Sequence, residues 1–120
     1  MALLTVKQLS DTTPIDRASA VAAASAGGDT APNDGRTFLL VENGGASSIT
    51  VTVTAQKTSL SVPGLGNVTK ANVAQAIAAG DEALLGPFAP AVFNDINGNI
   101  DITYSGVTSV SVAAIRLAQL

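Results

Sequence analysis

The sequence contains no cysteine, no histidine and no tryptophan. Without thiols there are no disulfides and no thiolate chemistry. Without imidazoles the chain lacks the commonest zinc ligand and the side chain that titrates unaided near neutrality. Charge is scarce as well. Asp, Glu, Lys and Arg make up 12% of the 120 residues, against about 25% in a typical soluble domain. The six basic residues, Lys7, Arg17, Arg36, Lys57, Lys70 and Arg116, are scattered through a chain of net charge −3. Nucleic-acid binding needs clustered cations to neutralise phosphates, so no nucleic-acid partner is expected. No stretch approaches the ~18 consecutive apolar residues of a membrane helix, so no membrane partner is expected either. The segment Met1 to Lys7 lacks the basic start and long apolar run of an export signal, which points to synthesis in the cytoplasm.

Aromatic residues are 3% of the chain: Phe38, Phe88, Phe93 and Tyr104. The length suits one domain, with a core of Val, Ile, Leu and Ala. Small apolar side chains bury little area each, at about 25 cal/mol per Å². Such a domain gains from burial against a neighbour, and assembly into a homo-oligomer is expected.

The apolar residues are arranged in short runs separated by Gly, Asn, Asp and Pro, the pattern of an all-β domain. From Ser48 to Ala55, Ile49, Val51 and Val53 alternate with Thr50, Thr52 and Thr54, the period of a half-buried strand. The run Thr37 to Glu42 is apolar on both faces and reads as a central strand. With Asn43-Gly44-Gly45-Ala46 between them, these two runs predict a β-hairpin. A second hairpin is predicted from Ile100-Ile102-Tyr104 and Ser109 to Leu117, where Val110, Val112 and Ala114 share one face. Lys70 to Gly80 reads as a strand, with a helix as the alternative, followed by a turn at Gly80-Asp81 and a second strand at Glu82 to Leu85. Ser19 to Ser25 reads as a strand, again with a helix as the alternative, and Gly27 to Arg36 and Pro63 to Asn67 as loops. Pro87 to Asn94 reads as a loop with one 3₁₀ turn. Seven or eight strands result, and an antiparallel β-sandwich of Greek-key or jelly-roll type is the expected closure. Residues 1-13 are read as an N-terminal arm and residues 14-120 as a single β-sandwich domain.

Little in the chain suggests chemistry. A nucleophilic serine needs a base, and only a Ser59–Lys57 arrangement offers one. Most carboxylates lie in turn sequences, and Glu42, at the end of an apolar strand, is the one to inspect. No catalytic residue, no cofactor and no enzyme activity are expected. Asp95, Asn97, Asn99 and Asp101 place oxygen-bearing side chains at alternate positions, a partial imitation of a calcium loop. Gly98 falls between the second and third of them rather than after the third. The competing reading is a tight turn on Asn97-Gly98. For docking onto a partner, the candidates are Ala2, Leu3, Leu4 and Val6 in the arm, with Phe88, Val92 and Phe93 in the loop. The alternative for that loop is a plug in the end of the sandwich.

The run Asn33 to Gly45 (NDGRTFLLVENGG) leads into Ser48 to Val53 (SITVTV). Later come Gly86-Pro87-Phe88, Val92-Phe93-Asn94-Asp95 and Ile102-Thr103-Tyr104-Ser105-Gly106-Val107. Over roughly residues 30 to 117 these segments resemble the capsid decoration, or cement, proteins of tailed bacteriophages. The resemblance implies a β-sandwich that binds the major capsid protein on the outer surface of the virion, in many copies, and stabilises the assembled head. It supplies no catalytic residues, and it implies a homo-oligomer with a trimer as one form. A tail- or fibre-associated structural sandwich is the first alternative. A calcium- or sugar-binding surface module is the second, disfavoured by the lack of stacking Trp faces.

Overall fold

The computed structural model describes residues 2–57 and 59–119. The chain is all-β, with 47% of residues in strands and 7% in helix. In order, the elements are β1 (Ala2–Leu3), β2 (Val6–Leu9), α1 (Arg17–Ala20), β3 (Ala22–Ala23), β4 (Asp29–Pro32), β5 (Thr37–Asn43) and β6 (Ile49–Val53). They continue with β7 (Ser59–Val62), β8 (Gly66–Thr69), β9 (Val73–Ile77), β10 (Glu82–Leu85), α2 (Pro90–Phe93), β11 (Asn99–Tyr104) and β12 (Val110–Leu117). One sheet runs β1-β4-β11-β6-β9. The second runs β10-β5-β12-β2, with β3 also paired to β12. The strands β7 and β8 pair only with each other. Among the described residues no helix is long and apolar enough to cross a membrane.

The two sheets face each other across the core. Leu39 and Val41 of β5 and Val110, Val112 and Ala114 of β12 meet Val51 and Val53 of β6 and Ile100 and Ile102 of β11. The outer face of β5 and β12 is covered too. Leu40, Ala113 and Ile115 pack under Leu9, Ile15, Ala20 and Val21, so the chain through α1 forms a partial third layer. That layer is why β5 is apolar on both faces. The helix α1 starts at Asp16, whose carboxylate accepts from Ala18 N at 3.2 Å, the usual N-cap arrangement.

Several expectations change here. Among the described residues the strand count is twelve rather than seven or eight. The excess comes from very short strands and from the N-terminal segment. Residues 2 to 9 do not project as an arm. They lie in parallel along the edges of both sheets, β1 on β4 and β2 on β12, so the sandwich is not purely antiparallel. Met1, also assigned to the arm, lies outside the described residues.

Neither predicted hairpin forms. β5 and β6 lie in opposite sheets, as do β11 and β12. The Asn43 to Ser48 link is longer than a two-residue turn and arches over the sandwich edge. Buried Asn43 secures the arch. Its Nδ2 donates to the carbonyls of Ser47 (2.8 Å), Ile77 (3.0 Å) and Ala78 (3.3 Å), and its Oδ1 accepts from Gly45 N.

The Lys70 to Gly80 region does contain a strand, β9, followed by a turn and β10, and not a helix. The expected strand at Ser19 to Ser25 is instead the end of α1 followed by the two-residue β3. The expected loop at Gly27 to Arg36 contains β4. Its inward residues are Asp29 and Ala31 rather than branched apolar ones, which hid the strand. Gly28 precedes it at φ 92°, where a Cβ would sit 2.7 Å from the Ile102 carbonyl oxygen. Close strand approach and positive φ both require glycine there.

Candidate docking surface

The ladder registers define two poles of the sandwich. β6 runs away from the Asn43 to Ser48 arch, and β11 and β9 run antiparallel to it. One pole therefore carries the end of β6, the start of β9 and the turn before β11. The other carries the Asn43 to Ser48 arch, the β9–β10 turn and the link from β11 to β12.

The aromatic loop belongs to the first pole and faces inward. Phe88 and Phe93 are 2% and 3% exposed, with rings edge-on at 5.5 Å between centroids. Neither is available to a partner, so they leave the docking set. They plug the end of the sandwich, because two rings supply the volume that a Val/Ile/Leu core otherwise lacks at its open end. Val92, half-buried on α2, packs against them. Of the N-terminal candidates, Leu4 and Val6 pack on the core, while Ala2 and Leu3 are exposed at the β1 edge.

The calcium-loop candidates form a turn. Asp95 Oδ1 accepts from Asn97 N at 2.8 Å and from Asn99 N at 3.0 Å, and Gly98 takes φ 79°. The Asp95 carboxylate is thus engaged by backbone amides. Among the described residues no three acidic side chains gather as a metal site. Glu42 accepts from Arg17 at 2.6 Å, and Arg17 also pairs with Glu82. This exposed triad contributes little to stability. Lys57 and Ser59, the one serine–lysine arrangement, are both exposed at the first pole.

Fully buried Asp29 pairs with half-buried Tyr104. The Tyr104 hydroxyl donates to Asp29 Oδ2 at 2.7 Å, and Ser25 N donates to the same oxygen at 3.2 Å. Asp29 Oδ1 is buried without a partner among the described residues. Burial first, then the hydrogen bond to Asp29 and its charge, push the Tyr104 hydroxyl far above its ordinary value.

The feature that the sequence reading missed is the β7–β8 ribbon. It leaves the sandwich between β6 and β9 and is exposed on both faces, Val62 alone being half-buried. Leu60 pairs across to Val68 and Val62 to Gly66, which gives one apolar face. Ser59, Ser61, Asn67 and Thr69 make the other. Leu65, at the tip, is 79% exposed. An isolated two-stranded ribbon is marginal in water, yet the root of this one is fixed. Asn72 Oδ1 accepts from Ala55 N at 2.9 Å. The Val92 carbonyl accepts from Gln56 N and Lys57 N at 2.8 and 3.0 Å. The Lys70 ammonium lies 5.8 Å over the Phe93 ring, within cation–π range. The aromatic plug thus anchors the ribbon's base, and fully exposed Ile96 adds a further apolar residue to that pole.

The signal was present in the sequence. Leu60 and Val62 alternate with Ser59 and Ser61, and Val68 sits between Asn67 and Thr69, around the Pro63-Gly64 turn. Comparison with family models, with curated proteins and with solved structures returned no match.

Proposed function

We propose that this chain is a virion structural subunit, a decoration protein that binds the major capsid protein on the assembled head of a tailed bacteriophage and stabilises it. The observation that carries the reading is the β7–β8 ribbon: an amphipathic projection with a fixed root, an unburied apolar face and no charged residue from Ser59 to Thr69. Exposed apolar surface concentrated on one projection marks an interaction site. Burying a leucine or valine side chain there contributes about 1.5–3 kcal/mol. Many such subunits, each bound only to the assembled shell, stabilise it by mass action. The resemblance of residues 30 to 117 to cement proteins selects the capsid as the partner, and the scarcity of charge suits close packing on a protein surface.

The test is imaging of virions that carry a tagged copy, with heat release of packaged DNA as the second readout. Density over the head and a lower release temperature in particles lacking the protein support the reading. Density on the tail replaces it with the tail-associated alternative. Particles without the protein that carry no density difference and release DNA at the same temperature overturn it.

A further inference from the structure

The pole opposite the ribbon carries a groove of about 350 Å³ between the arch after β5 and the link after β11. Its walls come from Gly45, Ala46, Ser48, Gly106 and Thr108, with buried Ile49 at the floor. It is uncharged, lined by small side chains and apolar at its base. Its volume falls in the range of pockets that hold a ligand group. The turn at the ribbon tip, Pro63-Gly64-Leu65, is the matching shape: uncharged, narrow and led by one exposed leucine. Docking the two desolvates no ionised group, which avoids the main cost of burying polar surface.

The surroundings match as well. The charged residues nearest the ribbon in sequence are both lysines, Lys57 and Lys70. Beside the groove, Glu42, Asp81 and Glu82 join the single Arg17 in lining a polar depression that borders the same Asn43 to Ser48 arch through Asn43 and Gly44. The two charges flanking the ribbon are basic and the depression beside the groove is acidic, so approach of the ribbon to that pole is electrostatically favoured.

We infer that the ribbon tip of one copy seats in the opposite-pole groove of a second copy of this chain. The inference rests on the reading of the ribbon as an interaction element, but not on the identity of the capsid. Because the two surfaces differ, the contact is heterologous. Every copy keeps a free ribbon at one end and a free groove at the other, and assembly continues until a ring closes.

Two variants at exposed positions separate the halves of the contact. Leu65→Asp removes the apolar tip and leaves the groove. Ser48→Trp fills the groove and leaves the tip. Circular dichroism and melting temperature, expected to match the parent, verify that both fold. By light scattering the parent is expected to exceed twice the 11.9 kDa chain mass, and each variant alone to be a monomer. An equimolar mixture of the variants retains one intact tip and one intact groove, and is expected to stop at a 1:1 dimer. A parent that stays monomeric at its highest soluble concentration overturns the inference, as does a folded variant that assembles like the parent or a mixture that stays monomeric. If the parent is monomeric yet still found on virion heads, the ribbon docks on the shell instead. The proposed function then stands without this contact.

Discussion

The ladders β6–β9 and β7–β8 are successive stretches of one excursion of the chain, and they have opposite surroundings. Both show apolar residues alternating with Ser, Thr, Asn or Gln. In β6, Ile49, Val51 and Val53 face a second sheet and are almost wholly buried. In β7, Leu60 is exposed and Val62 half-buried, and among the described residues no second sheet covers them. The alternation that marks a strand therefore states that one face needs cover, not where the cover comes from. Where a second sheet supplies it, the pattern is core. Where none does, the same pattern leaves an apolar face uncovered.

The largest expected effect lies on the sandwich side of that comparison. Leu39→Ala opens a cavity between the sheets at a residue of zero exposure and should cost about 2–5 kcal/mol, read as a lowered urea midpoint.

Next comes Tyr104, the chain's one tyrosine. Its folded hydroxyl titrates above its unfolded value of about 10, so above that pH the native state binds more protons than the unfolded one. Stability from this group is complete below about pH 10 and is lost as pH rises further. Tyr104→Phe should cost about 1 kcal/mol at neutral pH and should remove this alkaline decline. A parent whose midpoint does not move between neutral and strongly alkaline pH would contradict the buried pair with Asp29.

The smallest effect belongs to the ribbon. Leu60→Ala in dilute protein should shift stability by no more than about 0.5 kcal/mol, because the side chain is half exposed and covers no core. A loss comparable to that of Leu39→Ala would erase the distinction between the two ladders.

Much of the sandwich was legible in the sequence. The Ile49 to Val53 alternation, the double-faced run at Thr37 to Glu42 and the inward set Val110, Val112 and Ala114 all appear where their periodicity placed them. What pairs with what was not legible. Asn-Gly and Ser-Gly links serve a corner between sheets as well as a hairpin, and only tertiary contacts such as those of Asn43 separate the two. The strand β4 was hidden because its inward side chain is a carboxylate that holds Tyr104. Of the docking candidates, Phe88 and Phe93 carried the right residue type and lie inside. Local sequence gives no sign that an aromatic pair will plug the end of a sandwich. The ribbon was passed over because Pro63, Gly64 and Gly66 draw attention to the turn, away from the short alternations on either side.

The strap formed by β1 and β2 has a consequence for how the protein is made. The Arg116 guanidinium donates to Gln8, a sequence separation of 108 residues, and β2 pairs with β12 along its whole length. During synthesis β2 leaves the ribosome 108 residues ahead of its ladder partner. The edge of the second sheet therefore stays open until β12 has been made, and non-local pairing of this kind slows folding. The nascent chain meanwhile carries both an unpaired strand and an unpartnered ribbon, the two features through which incomplete β-proteins associate wrongly. Lys7 and Arg116, which lie in that edge ladder, are charges of the kind that oppose edge-to-edge pairing.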